Sequence, residues 1–283
     1  MAKKTDYKHM SNLKENIKNH LSKHGFTLEL EAEKIFKEAG FQASPSVHYL
    51  DPEENKYREI DLTVYKSINK GDYSLNLCFV IECKNTPDRP WVVIKKNREF
   101  LDNQLIETFS GTKNSSLILE EFKSKYDKIK DKDNLFIPTN CDQVGFNVVQ
   151  VSHTNNHNDA YAASMTLRKA CEYLEKKSNN AKAPFTNIYI PIIIVNAPLF
   201  SCSLNENNEL DLEETKSEIM VEIRAFETPF LKSYTIVQKE YLKEYAEKLS
   251  RYAILILQTL DNSITRTSKE NPTNSNEGVY NLG

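Results

Sequence analysis

Two short runs of residues constrain the fold more than any other feature of the chain. Arg58-Glu59-Ile60-Asp61-Leu62-Thr63-Val64-Tyr65 alternates, with Ile60, Leu62 and Val64 on one face and Glu59, Asp61 and Thr63 on the other. Leu77-Cys78-Phe79-Val80-Ile81-Glu82-Cys83-Lys84 is nearly all apolar until it ends on an acid and a base. Both read as strands. Asn69-Lys70-Gly71-Asp72 between them has the composition of a hairpin turn. If the hairpin is centred between Gly71 and Asp72, ten residues counted along each arm reach Asp61 and Glu82. These carboxylates then lie opposite each other on an antiparallel pair, about 5 Å apart at the β-carbons. Like charges so placed are destabilising unless something sits between them. Two hard oxygen ligands on adjacent strands suit a divalent cation such as Mg²⁺. Side chains alternate along a strand, so Lys84 shares the face of Glu82 and Cys83 points the other way. The plainer reading is a solvated strand end. The hydrophobic run that the triplet closes, and the second acid brought to it by the register, favour a site.

Asp61, followed after a hydrophobic strand by Glu82-Cys83-Lys84, resembles the PD-(D/E)xK nuclease superfamily, the restriction-endonuclease-like fold. The resemblance covers about residues 26 to 104, and Ile60 stands where that superfamily usually has proline. It implies an α/β fold in which a mixed central sheet is flanked by helices, with a C-terminal extension of the sheet. It also implies a metal-dependent nuclease that hydrolyses phosphodiester bonds, with DNA favoured over RNA and Mg²⁺ or Mn²⁺ as cofactor. Asp61 and Glu82 would be metal ligands, joined by the backbone carbonyl of Cys83, and Lys84 would orient the attacking water. An acid on the first core helix completes such sites, and Glu29 has the required offset from the terminating Gly40. Glu29 also lies beside the apolar stripe of Leu28, Ala32, Ile35, Phe36 and Ala39, in a helix with Thr27 as its N-cap. Glu31 and Glu33 are its substitutes if the helix is rotated, and a solvated helix face is the alternative for all three. Gln104 on the next helix is a candidate polar neighbour, although Thr108 stands where a QxxxY motif has tyrosine. Only the resemblance suggests a role in bacterial defence or an NTPase partner, whereas a homodimer would make double-strand cutting easier by symmetry.

The chain carries a formal charge of −3, so any hold on nucleic acid must come from a local basic surface. Lys95, Lys96 and Arg98 form such a cluster just beyond the proposed site, or else a solvated face. With seven glycines and no P-loop or dinucleotide fingerprint, the sequence gives no sign of ATP or NAD binding. Five cysteines without a CxxC pair read as reduced thiols in a cytoplasmic protein. No apolar run is long enough to span a bilayer, and the lysine-rich start is no secretory signal.

The 283 residues suit one nuclease-like domain over 1–261, with a mobile polar tail over 262–283. A split into two domains near residue 140 is the alternative. An N-terminal helix over 12–24 presents Leu13, Ile17 and Leu21 as a stripe that would pack on the domain surface. Trp91 reads as a packing anchor, and His48 as structural or solvated unless it faces the site. Residues 110–140 read as an inserted solvated helix, and His153 and His157 as loop residues. Helices over 159–176 and 239–260 flank strands at 144–151, 188–195, 199–204, 219–226 and 234–237, with an acidic loop over 205–214. The competing functional readings are a nucleic-acid-binding module without catalysis and a partner subunit that keeps a nuclease-like fold.

Overall fold

The computed structural model describes residues 2–51, 53–97, 110–111, 121, 124–125, 135, 142–151, 158–181, 185–223 and 231–261. The chain opens with α1 (Ala2–Lys23) and α2 (Phe26–Glu38), followed by strands β1 (Gln42–Asp51), β2 (Lys56–Lys70), β3 (Tyr73–Asn85) and β4 (Trp91–Asn97). Next come β5 (Ser110–Gly111), β6 (Gln143–Gln150), α3 (Asp159–Asn180), β7 (Phe185–Asn196), β8 (Leu199–Leu204) and β9 (Leu210–Glu214). The described chain closes with β10 (Ser217–Ile223), β11 (Leu231–Gln238), a 3₁₀ turn (Lys239–Tyr241) and α4 (Leu242–Thr259). It is a mixed α/β architecture.

The strands form one sheet in the order β1-β2-β3-β7-β11-β10-β6-β4-β8-β9, with β5 also paired to β7. Parallel pairing joins β3 to β7 and β7 to β11, while β1–β2 and β2–β3 are antiparallel hairpins. β3 and β7 alternate between two cores. Leu75, Leu77, Phe79 and Ile81 face one side with Ile188, Ile190, Ile192 and Ile194, where α2 and α4 cover them. Cys78, Val80, Tyr189, Ile193 and Val195 face the other, where α3 covers them through Ala163, Leu167 and Ala170. A strand apolar on both faces needs a helix layer on each side. Trp91 is fully buried in the second core, as an anchor should be.

The β2–β3 register is the one counted from the turn: Lys70 pairs with Tyr73 and Leu62 with Ile81. Gly71 takes the left-handed conformation at φ 57°, which the tight turn requires. Ile60, however, does not join Leu62 and Val64. Leu62 and Val64 lie in the α2/α4 core, whereas Ile60 lies in the α3 core with Tyr49. β1 changes faces at the same step: Ala43 packs against the first core and Val47 against the second. Between them Ser46, opposite Asp61 in the register, takes φ 53°. The hairpin is therefore kinked at Asp61 rather than regular through it.

Other expectations need correction. α2 is capped by Gly25 at φ 86° rather than by Thr27, because the chain turns out of α1 within two residues. Thr27 Oγ1 instead lies 3.2 Å from Ser22 Oγ. The stripe of Leu13, Ile17 and Leu21 on α1 is 51%, 49% and 42% exposed, not packed on the domain. One apolar residue per turn is too narrow a stripe to drive burial. The acidic loop over 205–214 contains an edge strand, β9, whose five residues are all exposed and which pairs with β8. Its acids give it no core face, hence no period to read, and guard a free sheet edge. Within 110–140, Leu135 is buried in the first core, where its carbonyl accepts from Thr235 Oγ1 (2.9 Å) and Tyr245 OH (2.8 Å). Gln104, Thr108, His153, His157 and the tail over 262–283 lie outside the described residues.

β6 meets β10 at a single described pair, Gly145 with Met220. A Cβ on Gly145 would meet the Met220 sulfur and lie 2.6 Å from Val93 Cγ1. Gly145→Ala should therefore cost about 1–3 kcal/mol through overpacking, read as a lowered denaturation midpoint. An unchanged midpoint would show that this junction gives way freely.

Candidate functional site

The site grows from the point where the β2–β3 ladder stops. Beyond Leu62–Ile81 no further pair forms, and Asp61 Oδ2 accepts the Cys83 N–H at 2.7 Å in place of a strand carbonyl. This bond fixes the Asp61 carboxylate beside the backbone of β3. Because N–H and C=O of a strand residue point to the same side, the Cys83 carbonyl also turns toward β2. The Cys83 thiol is buried in the opposite core, and burial raises its pKa well above the ordinary value, so it is a packing group.

Glu82 projects to the other face and is 5% exposed. Lys84 Nζ donates to Glu82 Oε1 at 2.5 Å. Burial would lower the Lys84 pKa, but Glu82, Asp61 and Asp159 together raise it, so it holds its proton. Glu82 is pushed up to about 7, first by burial and then by Asp61, with Lys84 opposing. Burial also raises Asp61, against the Cys83 N–H and Lys84, which lower it.

Glu29 sits on the first turn of α2, just after Gly25. Burial, then Asp61 and Glu59, push it up to about 7. Glu31 and Glu33 are elsewhere: Glu31 pairs with Lys239 at 2.7 Å and Glu33 with Lys37 at 2.6 Å. Glu29, Asp61, Glu82 and Lys84 thus act on one another electrostatically, while Glu31 and Glu33 are held in ion pairs elsewhere on α2. Asn85, the next residue after Lys84, ties the helix pair to the strand end. Its Nδ2 donates to Ser22 O at 2.8 Å, and its Oδ1 accepts from Asn196 Nδ2 at 2.6 Å.

The basic cluster is not brought to this point. Lys95 pairs with Glu218 at 3.5 Å and Lys96 lies over the Phe146 ring at 5.1 Å, both on the far strands of the sheet. Arg98 lies outside the described residues. His48 is exposed opposite Glu59 on the β1–β2 hairpin.

Three neighbours of the cluster were not singled out in the sequence. Glu59 was recoverable, because it shares the face of Asp61 by alternation. Asp159 was not, because α3 brings it from 75 residues downstream of Lys84. Arg89 stood in a proline-bounded turn with nothing local to mark it; it pairs with Asp159 at 3.0 Å.

Among the described residues, no three of His, Cys, Asp and Glu are drawn together as a ready metal cage. The donor chemistry nonetheless fits a hard divalent cation. Glu29, Asp61 and Glu82 are hard oxygen donors whose pKa values are all raised first by burial, and the Asp61 charge adds to the rise at both glutamates. Comparison with protein-family models, with curated proteins and with solved structures finds no match to the chain.

Glu29 and Glu82 hold protons in the folded chain up to about pH 7, whereas ordinary glutamates lose theirs near 4.5. The unfolded state then binds fewer protons, so stability contributed below pH 4.5 is lost as pH rises through 7. In EDTA the melting temperature should fall across that window. Glu29→Gln should flatten the fall and stabilise the protein at pH 8 by at most about 1 kcal/mol, roughly 2–4 °C, since the group is partly solvated. A pH series in which variant and wild type run parallel would remove Glu29 from the cluster.

Proposed function

We propose that the chain is a metal-dependent nuclease of the PD-(D/E)xK type, acting on DNA, with a restriction-endonuclease-like core at the β2–β3 end of its sheet. The supporting observation is the convergence of Glu29, Asp61, Glu82 and Lys84 where the β2–β3 ladder stops. Asp61 and Glu82 would hold Mg²⁺, with the Cys83 carbonyl as a further ligand and Glu29 binding directly or through water. Mg²⁺ supplies a bound water of lowered pKa and charge neutralisation at the phosphate. The Cys83 N–H fixes one oxygen of Asp61, which would orient the carboxylate as a ligand. Lys84, held protonated by Glu82, Asp61 and Asp159, offers an N–H to the attacking water or to the charge that builds on the phosphate. Glu82 is the acid whose proton or lysine partner must yield when a cation enters.

Two observations favour a second reading, a nucleic-acid-binding module without catalysis. Glu82 is already engaged by Lys84, and no preassembled three-ligand group is present among the described residues. A defence role and an NTPase partner rest on the family resemblance alone, and a homodimer on the symmetry that double-strand cutting would use.

Incubation with circular double-stranded DNA, circular single-stranded DNA and structured RNA, in Mg²⁺, Mn²⁺ or EDTA, separates these readings. The nuclease should open a DNA circle in Mg²⁺ but not in EDTA. Asp61→Asn and Lys84→Ala should each reduce the rate by about a hundredfold or more while melting as folded proteins. Full activity in a folded Lys84→Ala protein would overturn the mechanism, and binding without cutting by wild type would select the second reading.

A further inference from the structure

The site as described is rich in acids and poor in cations. Glu29, Glu59, Asp61, Glu82 and Asp159 act on one another or on Lys84. A polyanionic substrate entering it needs positive charge at the reacting phosphate, which a chain of net charge −3 does not supply globally. Arg89 is a further cation linked to this place. Its Nη1 lies 3.0 Å from Asp159 Oδ2, and the Asp159 charge also acts on Lys84 after those of Glu82 and Asp61, so one carboxylate acts on both cations.

Both ends of the Arg89 backbone are fixed. Its N–H donates to Thr86 O at 3.0 Å, and Thr86 N–H donates to Asn196 O at 3.1 Å. On the other side Pro90 O accepts from Val151 N–H at 2.8 Å, and the buried Trp91 donates its N–H to Pro198 O at 2.9 Å. Asp159 is held independently of Arg89. Gln150 Nε2 donates to Asp159 Oδ2 at 3.2 Å, and Gln150 Oε1 accepts the Asp159 N–H at 3.2 Å. Arg89 Nη1 therefore shares Asp159 Oδ2 with the Gln150 amide. Its guanidinium fork is made for two-oxygen partners, and the side chain is 39% exposed.

We propose that Arg89 is a substrate-binding residue that takes a backbone phosphate next to the one approached by Lys84, and that Asp159 holds it in place until the nucleic acid arrives. The inference rests on the nuclease reading for its substrate class. The alternative is a purely structural lock between the β3–β4 turn and α3.

The test is fluorescence anisotropy of labelled double-stranded DNA with the full chain in Ca²⁺ across a salt series, beside cleavage in Mg²⁺. Arg89→Ala should weaken binding about tenfold and reduce the magnitude of the salt slope by about one. Arg89→Lys should keep the slope and recover part of the affinity. Asp159→Asn, which retains the bonds to Gln150 but releases Arg89, should bind at least as tightly as wild type. If Arg89→Ala and Asp159→Asn lose thermal stability alike and leave affinity and slope unchanged, Arg89 is a lock and the proposal fails, even where wild type cuts DNA. If wild type never cuts but the Arg89 effects appear, the catalytic reading fails and this one stands. Absence of any DNA binding by wild type overturns it.

Discussion

The arrangement at the site depends on where one strand ladder ends. β2 and β3 pair residue for residue from the turn to Leu62 and Ile81, and there the pairing gives way to a side chain. The Asp61 carboxylate takes the Cys83 N–H, which leaves Asp61 ordered and next to Glu82 at once. A regular ladder would have set two carboxylates opposite each other without support. The kink replaces that repulsion with a hydrogen bond for one acid and a lysine for the other. What remains is a desolvation cost with a smaller repulsion from Asp61, visible in the glutamates that stay protonated toward neutrality. A buried cluster of acids with raised pKa values is a poor way to stabilise a fold and a common way to hold a cation or a proton in readiness.

Much of this was legible in the residues. The hairpin register followed from Gly71-Asp72 and the lengths of the two arms, because side chains alternate with period two and a slip would expose the apolar run. The place of Glu29 beside the apolar stripe followed from helical period, and Gly40 does end α2 at φ 81°; its offset from that glycine was what the family resemblance implies. The buried strand at β7 and the helices α3 and α4 carried periodic patterns that only a sheet with cover on both faces could satisfy. These features are all local, set within ten or twenty residues by backbone geometry and burial.

The parts that escaped are those where distant segments decide. The sequence 58–65 alternates cleanly, yet Ile60 leaves the face of Leu62, because Tyr49 from β1 and the α3 core give it a better place. Lys95 and Lys96 look like a basic patch beside the site, yet Glu218 and Phe146 from strands more than forty residues later draw them away. Asp159 and Arg89 meet only because the β3–β4 turn is bonded to both the end of β7 and the residue after β6. Charge clustering in the sequence was thus a weaker guide than strand register.

One buried acid outside the cluster explains how such distant pieces hold their alignment. Asp51, at the end of β1, is inaccessible to solvent, and its pKa is lowered to about 2. It accepts from Lys169 Nζ at 2.9 Å, from Arg58 Nε at 2.8 Å, and from the backbone N–H groups of Glu53 and Glu54. A buried carboxylate with all these partners is satisfied, and one deprived of them is costly, so other registers of the β1–β2 hairpin are disfavoured. Arg58 lies on β2, three residues before Asp61, and Lys169 lies on α3, ten residues after Asp159. The same ion cluster that closes the hairpin therefore indexes α3 against β2. The strand that carries one end of the site and the helix that carries the other are set against each other by a group that belongs to neither.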